Sequence, residues 1–235
     1  MTKRKRRFKK GSLWLLAMFL VGSGLVLLGL TQNSSVTRMG DTAKREMTVE
    51  SVQRAKRSAQ SKTEQGKTAP FDYAKTSQLT PLTVGGYRLR ELTGNSGYDG
   101  AVGQLKVPAV GLDLPIGIGV SNTVLVRGAG TLKADQRMGQ GNYALAGHYM
   151  AAKRLLFSPL KGVQRGDSVY LTDKQQVYQY QVSRVRVVDR HQVNVIDDVP
   201  GKKLVTLVTC ASAKRGEPKR LVVQGELVSV RRVRA

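Results

Sequence analysis

The feature that most constrains the fold is a series of short strand-like runs that begins near Tyr98. Seven runs, separated by Gly, Pro and Asp turn signals, cover residues 101–107, 112–116, 143–148, 168–171, 177–188, 204–210 and 221–230. Only two short helical pieces, at 123–125 and 154–160, are indicated in the same region. This pattern predicts a mostly β domain built as a small barrel or a sandwich.

The run Lys203–Cys210 ends at the single cysteine of the chain. Alternation places Leu204, Thr206, Val208 and Cys210 on one face of the predicted strand. A thiol at a strand end, beside a Gly- and Pro-containing loop, is well placed to act as a nucleophile. The alternative is a buried structural cysteine, because free cysteine packs like a small hydrophobe.

The N-terminal segment predicts a membrane anchor. Seven cations within residues 3–10 precede an uncharged, Leu- and Val-rich run over residues 11–30. About 20 apolar residues at about 1.5 Å each span a hydrocarbon core of about 30 Å. We therefore expect a cytoplasmic basic tail at 1–11, a transmembrane signal-anchor helix at 12–30, and an extracytoplasmic remainder. A cleaved signal peptide is less consistent, since no convincing small-x-small cleavage site follows the run.

The excess of basic residues fits this topology. The chain has 39 Lys and Arg against 16 Asp and Glu, which by itself is compatible with nucleic acid, anionic lipid or another polyanion. Cations placed before a membrane span act first as a topology signal and contact lipid headgroups. We therefore expect membrane lipid, and no nucleic acid, as the partner of the basic tail. Since one cysteine forms no intramolecular disulfide, an exported thiol has a function or is deeply buried.

Composition divides the residues after the predicted anchor into two parts. Residues 31–97 are polar and then rich in Gly and Pro, which predicts an extracytoplasmic stalk or linker with at most a short helix. Residues 98–235 carry the strand-like runs and form the predicted catalytic domain.

Three strand ends carry residues that together make an acyl-transfer set. His148 follows a run of small residues, Cys210 ends its run, and Arg220 opens the next one. A thiolate attacks a carbonyl, an imidazole moves the proton, and a guanidinium holds the developing negative charge. His191 lies in a polar turn and is not assigned a role.

These segments resemble those of class A sortases, the membrane-anchored cysteine transpeptidases of Gram-positive bacteria. The resemblance rests on Thr-Leu-Val-Thr-Cys at 206–210, Ala-Gly-His at 146–148 and Lys-Arg-Leu-Val-Val at 219–223. It extends over about residues 98–230 and implies an eight-stranded sortase-type β-barrel with one or two short helices.

The resemblance also implies an activity. Sortases of this class cleave an LPxTG-type sorting signal between Thr and Gly through a thioester acyl-enzyme. They then join surface protein precursors to the amine of a cell-wall precursor, lipid II. Carried over, Cys210 is the nucleophile, His148 the general acid and base, and Arg220 the group that stabilises the oxyanion or positions the substrate.

Six residues are expected from the resemblance to line the substrate groove: Ala146, Val193, Val195, Ile196, Val208 and Thr209. Some class A members hold calcium with carboxylates just upstream of the histidine strand. Here that region offers Lys133, Gln136 and Gln140, with Asp135 nearby and Asp198 on a distant loop. Because calcium prefers several carboxylates, we expect no calcium requirement and no other cofactor.

Three other interpretations remain open from the sequence. The chain could be a non-catalytic, membrane-tethered basic module that binds anionic cell-wall polymers, with Cys210 structural. It could be a pilin-polymerising sortase, although residues 230–235 offer no C-terminal membrane span. A cysteine L,D-transpeptidase also uses Cys, His and Arg, but keeps its His and Cys close in sequence.

Overall fold

The computed structural model describes residues 10–64, residue 71 and residues 79–233. The remaining residues, including most of the predicted basic tail, lie outside the described part. The described helices are α1 Lys10–Arg45, α2 Val49–Glu64, α3 Pro81–Leu92 and α4 Asn122–Leu125. Short 3₁₀ turns cover Pro108–Val110, Ser158–Gly162 and Val193–Ile196.

Eight strands form a closed barrel, which confirms the predicted eight-stranded β-barrel. They are β1 Gly103–Val107, β2 Leu112–Gly117, β3 Ala129–Thr131, β4 Asn142–Ala146, β5 Ser168–Thr172, β6 Gln176–Asp189, β7 Leu204–Cys210 and β8 Lys219–Arg232. The order around the barrel is β1-β2-β3-β4-β7-β8-β6-β5, and β5 pairs with β1 to close it. The pairs β2–β3 and β4–β7 are parallel, and the others are antiparallel.

Alternation along the strands separates the interior of the barrel from its outer face. Val205 and Leu207 of β7 point into the main core, where they join Leu145, Leu171 and Tyr180 from other strands. Such close-packed apolar side chains fix the register, because a slip of one residue would expose them. The other face of β7, which ends in Cys210, is therefore directed outwards.

The strand β3 is the one strand that the sequence pattern did not predict. Its short Ala-Gly-Thr stretch lacks the β-branched run that marks the other strands. Small residues are needed there for packing reasons: a Cβ on Gly130 would lie 2.2 Å from the carbonyl oxygen of Gly119. The same close approach occurs at Gly128, where a Cβ would lie 2.3 Å from the carbonyl oxygen of Pro115.

The helices before the barrel pack against it, which differs from the solvated stalk expected for residues 31–97. Val36 and Met39 of α1 are buried with Val84 of α3 and Val126 of the barrel domain. The α3 helix begins at a capping box, in which the Thr80 hydroxyl accepts a hydrogen bond from the Thr83 amide. The sequence pattern indicated at most a short helix here, because few apolar positions of these helices are buried.

Among the described residues, no helix meets the length and hydropathy needed to cross a membrane. The transmembrane helix predicted over residues 12–30 is therefore not confirmed.

Candidate active site

Strand order places the cysteine between the histidine and the arginine. Cys210 at the end of β7 pairs directly with Arg220 of β8. On the other side, Val208 of β7 pairs with Ala146 of the parallel strand β4. Regular pairing of β4 ends at Ala146, but the Gly147 amide still bonds to the Val208 carbonyl, which directs the following residue, His148, towards the side of Cys210. Because neighbouring strands lie about 4.8 Å apart, the three residues form one row across the rim of the barrel.

The backbone around His148 is held on three sides. The Gly147 amide donates to the Val208 carbonyl at 3.2 Å, which continues the β4–β7 ladder beyond the end of β4. The buried Thr209 hydroxyl donates to the Gly147 carbonyl at 2.8 Å. The Phe157 amide donates to the His148 carbonyl at 3.0 Å. These bonds fix the backbone of residues 147 and 148 relative to the strand that carries the cysteine.

The His148 side chain is only 8% exposed. Its Nε2 atom is buried and has no hydrogen-bond partner among the described residues. Burial lowers the pKa of His148 to about 4, since desolvation disfavours the imidazolium. The imidazole is therefore neutral at pH 7 and can accept a proton. A substrate or intermediate that brings negative charge next to it would favour the protonated form.

Arg220 is positioned by the loop between β7 and β8. Its Nη1 atom donates to the carbonyls of Glu217 and Lys219, at 2.7 and 3.2 Å. The Glu217 carboxylate accepts hydrogen bonds from the Ser212 hydroxyl and from the Lys219 amide. These bonds hold the pKa of Glu217 below its usual range, and the bond from Ser212 has the larger effect. Sequence reasoning did not single out Glu217, although an acid three residues before the arginine was a usable signal.

The outer face of β7 and its neighbours forms an apolar floor next to this row. Val208 packs there with Val195 and, at the edge, Ile196. Ala146 belongs to an adjoining cluster with Val120 and Leu125. The partly buried Leu132 contacts both clusters and makes the floor continuous. Four of the six residues expected in the groove therefore meet on one surface.

Two of the expected groove residues lie elsewhere. Thr209 points to the opposite face of β7, where its hydroxyl holds the Gly147 carbonyl, so its place is in the support of His148. The alternation of side chains along the strand already requires this orientation. Val193 is 71% exposed and stands at the rim, outside the cluster formed by Val195 and Ile196.

The segment that closes the groove is tied to the loop before β4 by an ion pair. Lys133 Nζ lies 2.6 Å from Asp198 Oδ1, which also accepts the Asn142 amide at 2.7 Å. Both contacts lower the pKa of Asp198, and the hydrogen bond from Lys133 has the larger effect. The Asn142 side chain donates to the carbonyls of Val195 and Asp197. The Lys133 ammonium group thus lies between the loop before β4 and the segment that closes the groove.

Within the described part of the chain, no three His, Cys, Asp or Glu side chains are placed to hold a metal ion together. The expectation that no calcium is required stays a prediction.

A Cys–His–Arg row on the rim of a closed eight-stranded barrel defines a candidate cysteine acyltransferase. A sortase domain model matches residues 105–228, just over half of the chain. With sortase A of Listeria monocytogenes, the chain is 37% identical over 163 residues, which cover 68% of this chain and 69% of the relative. The chain belongs to the sortase family.

Two further comparisons agree with the resemblance to class A sortases. Sortase A of Streptococcus agalactiae is 45% identical over 131 residues, which are 54% of this chain and 52% of that protein. The match thus spans about half the length of that relative. The crystal structure of Listeria monocytogenes sortase A superimposes with a TM-score of 0.55 and 38% identity, covering 57% of this chain and 91% of that one.

Proposed function

We propose that this chain is a cysteine transpeptidase that cleaves LPxTG-type sorting signals between Thr and Gly and transfers the acyl group to an amine. The observation that carries the proposal is the row in which Cys210 lies between His148 and Arg220, at the end of an apolar groove. The identity of 37–45% to sortases A supports the choice of this substrate class.

In the first half of the reaction, the Cys210 sulfur attacks the Thr carbonyl while the thiol proton passes to His148. The resting imidazole is neutral, so it has a free site for this proton. The carbonyl oxygen becomes an oxyanion, which the Arg220 guanidinium stabilises. The C–N bond then breaks, His148 returns its proton to the departing Gly amine, and a thioester remains on Cys210.

In the second half, an incoming amine attacks the thioester carbonyl. His148 takes a proton from the amine, the C–S bond breaks, and the thiol of Cys210 is restored as an amide forms. A thioester conserves acyl-transfer potential, so no nucleotide is consumed. We propose the amine of a cell-wall precursor, lipid II, as the acceptor and surface protein precursors as the donors, by analogy with the class.

The groove supports a Leu-Pro pair as the leading part of the signal. The apolar surface next to the catalytic row is formed by the buried side chains of Val195, Val208 and Val222. A rigid Leu-Pro bend loses little conformational entropy when it binds to such a surface. The 193–196 turn closes one side of this surface and is held there by Asn142.

We also propose, on the sequence alone, that residues 12–30 anchor the protein in the cell membrane with the catalytic domain outside. Fractionation of cells that express the full chain tests this. The protein should stay with membranes after alkaline extraction, and externally added protease should degrade the barrel. Recovery of the intact protein in the soluble fraction would contradict the anchor.

The activity is tested with the full chain in detergent and a peptide that contains Leu-Pro-x-Thr-Gly. Mass spectrometry should detect cleavage after Thr and, with triglycine added, a ligated product. Both should be absent from the Cys210→Ala variant and unchanged by a calcium chelator. A folded protein that cleaves none of several sorting peptides would contradict the proposal and favour the non-catalytic module that binds wall polymers.

A further inference from the structure

A second arginine faces the groove, one strand beyond Arg220. Arg186 of β6 pairs directly with Val222 of β8, and Val222 in turn pairs with Val208 of β7. Directly paired residues in an antiparallel sheet project to the same face. Val222 packs with Val208 and Val195 in the groove floor, so Arg186 projects to the groove face at the edge of that floor.

The position of Arg186 relative to the catalytic row follows from the strand register. Val188 of β6 pairs with Arg220, which pairs with Cys210. Arg186 is two residues further along β6, about 7 Å from the row as measured along the strands, and β6 lies two strands from β7, so the Cα atoms of Arg186 and Cys210 are about 12 Å apart. In an extended peptide the distance of about 7 Å along the strands corresponds to about two residues. The Arg186 backbone is therefore level with the two residues upstream of the Thr that Cys210 attacks, and the nearer of these two residues is the variable one.

The state of the Arg186 side chain is unusual for an arginine. Its Nε atom is buried, and it finds no hydrogen-bond acceptor in the part of the chain that the structure describes. A buried donor without an acceptor loses hydration and gains nothing in return. Arg184 lies two residues before Arg186 on the same face of β6, and it is exposed to solvent. The Nε donor of Arg186 is therefore available to an acceptor from a bound molecule.

We propose that Arg186 is a specificity-determining residue that selects sorting signals with an acidic residue at the variable position of Leu-Pro-x-Thr-Gly. This inference rests on the proposed transpeptidase function. The Leu and Pro side chains take the apolar floor, which leaves the variable residue as the polar side chain nearest to the rim. A carboxylate satisfies a guanidinium with two parallel charge-assisted hydrogen bonds, which a neutral amide does not reproduce.

The test compares two peptides that differ only in the variable residue, Glu or Gln, because these side chains are nearly equal in size. The full chain in detergent should cleave the Glu peptide with a kcat/KM about tenfold higher than that of the Gln peptide, as expected for a charge-assisted bond. In Arg186→Gln the two values should agree within about twofold. The matched control is Arg184→Gln, which should keep the preference because Arg184 is a solvated arginine on the same strand and face.

A binding measurement keeps the inference separate from catalysis and from misfolding. The Cys210→Ala protein, with Arg186 intact, should bind the Glu peptide about tenfold more tightly than the Gln peptide, and added salt should reduce the difference. Equal binding together with equal cleavage of both peptides would overturn the role of Arg186 and leave the transpeptidase function standing. Failure to cleave any sorting peptide would overturn both. An equal loss of cleavage for both peptides in Arg186→Gln would assign the arginine to the peptide backbone instead.

Discussion

The buried imidazole of His148 should make the stability of the barrel depend on pH in a range where few other groups titrate. The pKa of His148 is about 4 in the folded protein. In the unfolded chain a histidine titrates near pH 6.5. Between these values the unfolded state binds more protons than the folded state. The free energy of unfolding therefore falls as the pH is lowered from 7 towards 4.

The size of the effect follows from the two pKa values. A full pH unit between them changes the free energy of unfolding by about 1.4 kcal/mol. From pH 7 to pH 5 the loss attributable to His148 is about 2 kcal/mol. Carboxylates contribute little in this window, because they titrate near pH 4 in the unfolded chain. The other histidine, His191, is exposed to solvent.

Urea unfolding at pH 7, 6 and 5 measures this loss. A suitable fragment begins at residue 31 and so keeps Val36 and Met39, which pack between α1 and the barrel domain. With a urea m-value of about 2 kcal/mol/M, the midpoint should fall by about 1 M between pH 7 and pH 5. In His148→Gln most of this fall should vanish, whereas His191→Gln should retain it. A wild-type midpoint that does not change from pH 7 to pH 5 would refute the assignment of a buried neutral imidazole.

Four further predictions concern the groups around the row and the requirement for calcium. Arg220→Lys should lower kcat/KM for a sorting peptide about 100-fold with an unchanged melting temperature, because a point charge replaces the planar fork near the oxyanion; retained activity would argue against the role. Thr209→Val should destabilise the protein by about 1–3 kcal/mol and lower kcat, because the buried Gly147 carbonyl loses its donor; steady-state kinetics and urea unfolding measure both. Lys133→Met should raise KM by up to about fivefold with little change in kcat, because the partly exposed pair with Asp198 holds the groove loop. Millimolar calcium should leave wild-type KM unchanged.

Much of the barrel is readable from the sequence because its strands have strong local patterns. Seven of the eight strands coincide with the alternating runs that the sequence predicted, and β7 begins and ends at the predicted residues. The exception is β3, whose glycines are required by close backbone contacts that no local pattern records. The end of β4 was also not predicted correctly: the predicted strand extended to His148, but regular pairing ends at Ala146. Beyond that point the His148 carbonyl accepts the Phe157 amide, a contact nine residues further along the chain that the strand pattern does not record.

The site is only partly readable for the same reason. Cys210, His148 and Arg220 carry recognisable chemistry at strand ends, and the strand order then places them in one row. The supporting groups differ in this respect. Glu217 fixes the arginine loop through contacts within five residues, which local spacing could have indicated. Lys133 meets Asp198 across 65 residues, and a pair so far apart has no signature of spacing or periodicity, so it emerges only from the folded structure.

The helices before the barrel show that the packing of a mostly polar helix is hard to predict from its sequence. The sequence favoured a solvated stalk because charged and other polar residues together fill most positions of 41–64. A few apolar residues nevertheless suffice to dock the helices, as Met47 and Val52 do against Ala101. Lys44 of α1 adds a contact to the Asp113 carboxylate at 3.5 Å. Amphipathic patterns this narrow are weak predictors of packing.

The central claim is that Cys210 carries the acyl group between two transfers, and a quenched-reaction mass measurement tests it most directly. The full chain is mixed with a sorting peptide without an added amine, quenched in acid within one turnover, and digested for peptide mapping. We predict an adduct on Cys210 with the mass of the peptide up to its Thr, which disappears when triglycine is added before the quench. Cleavage without any adduct on Cys210, or persistence of cleavage in Cys210→Ala, would contradict the account.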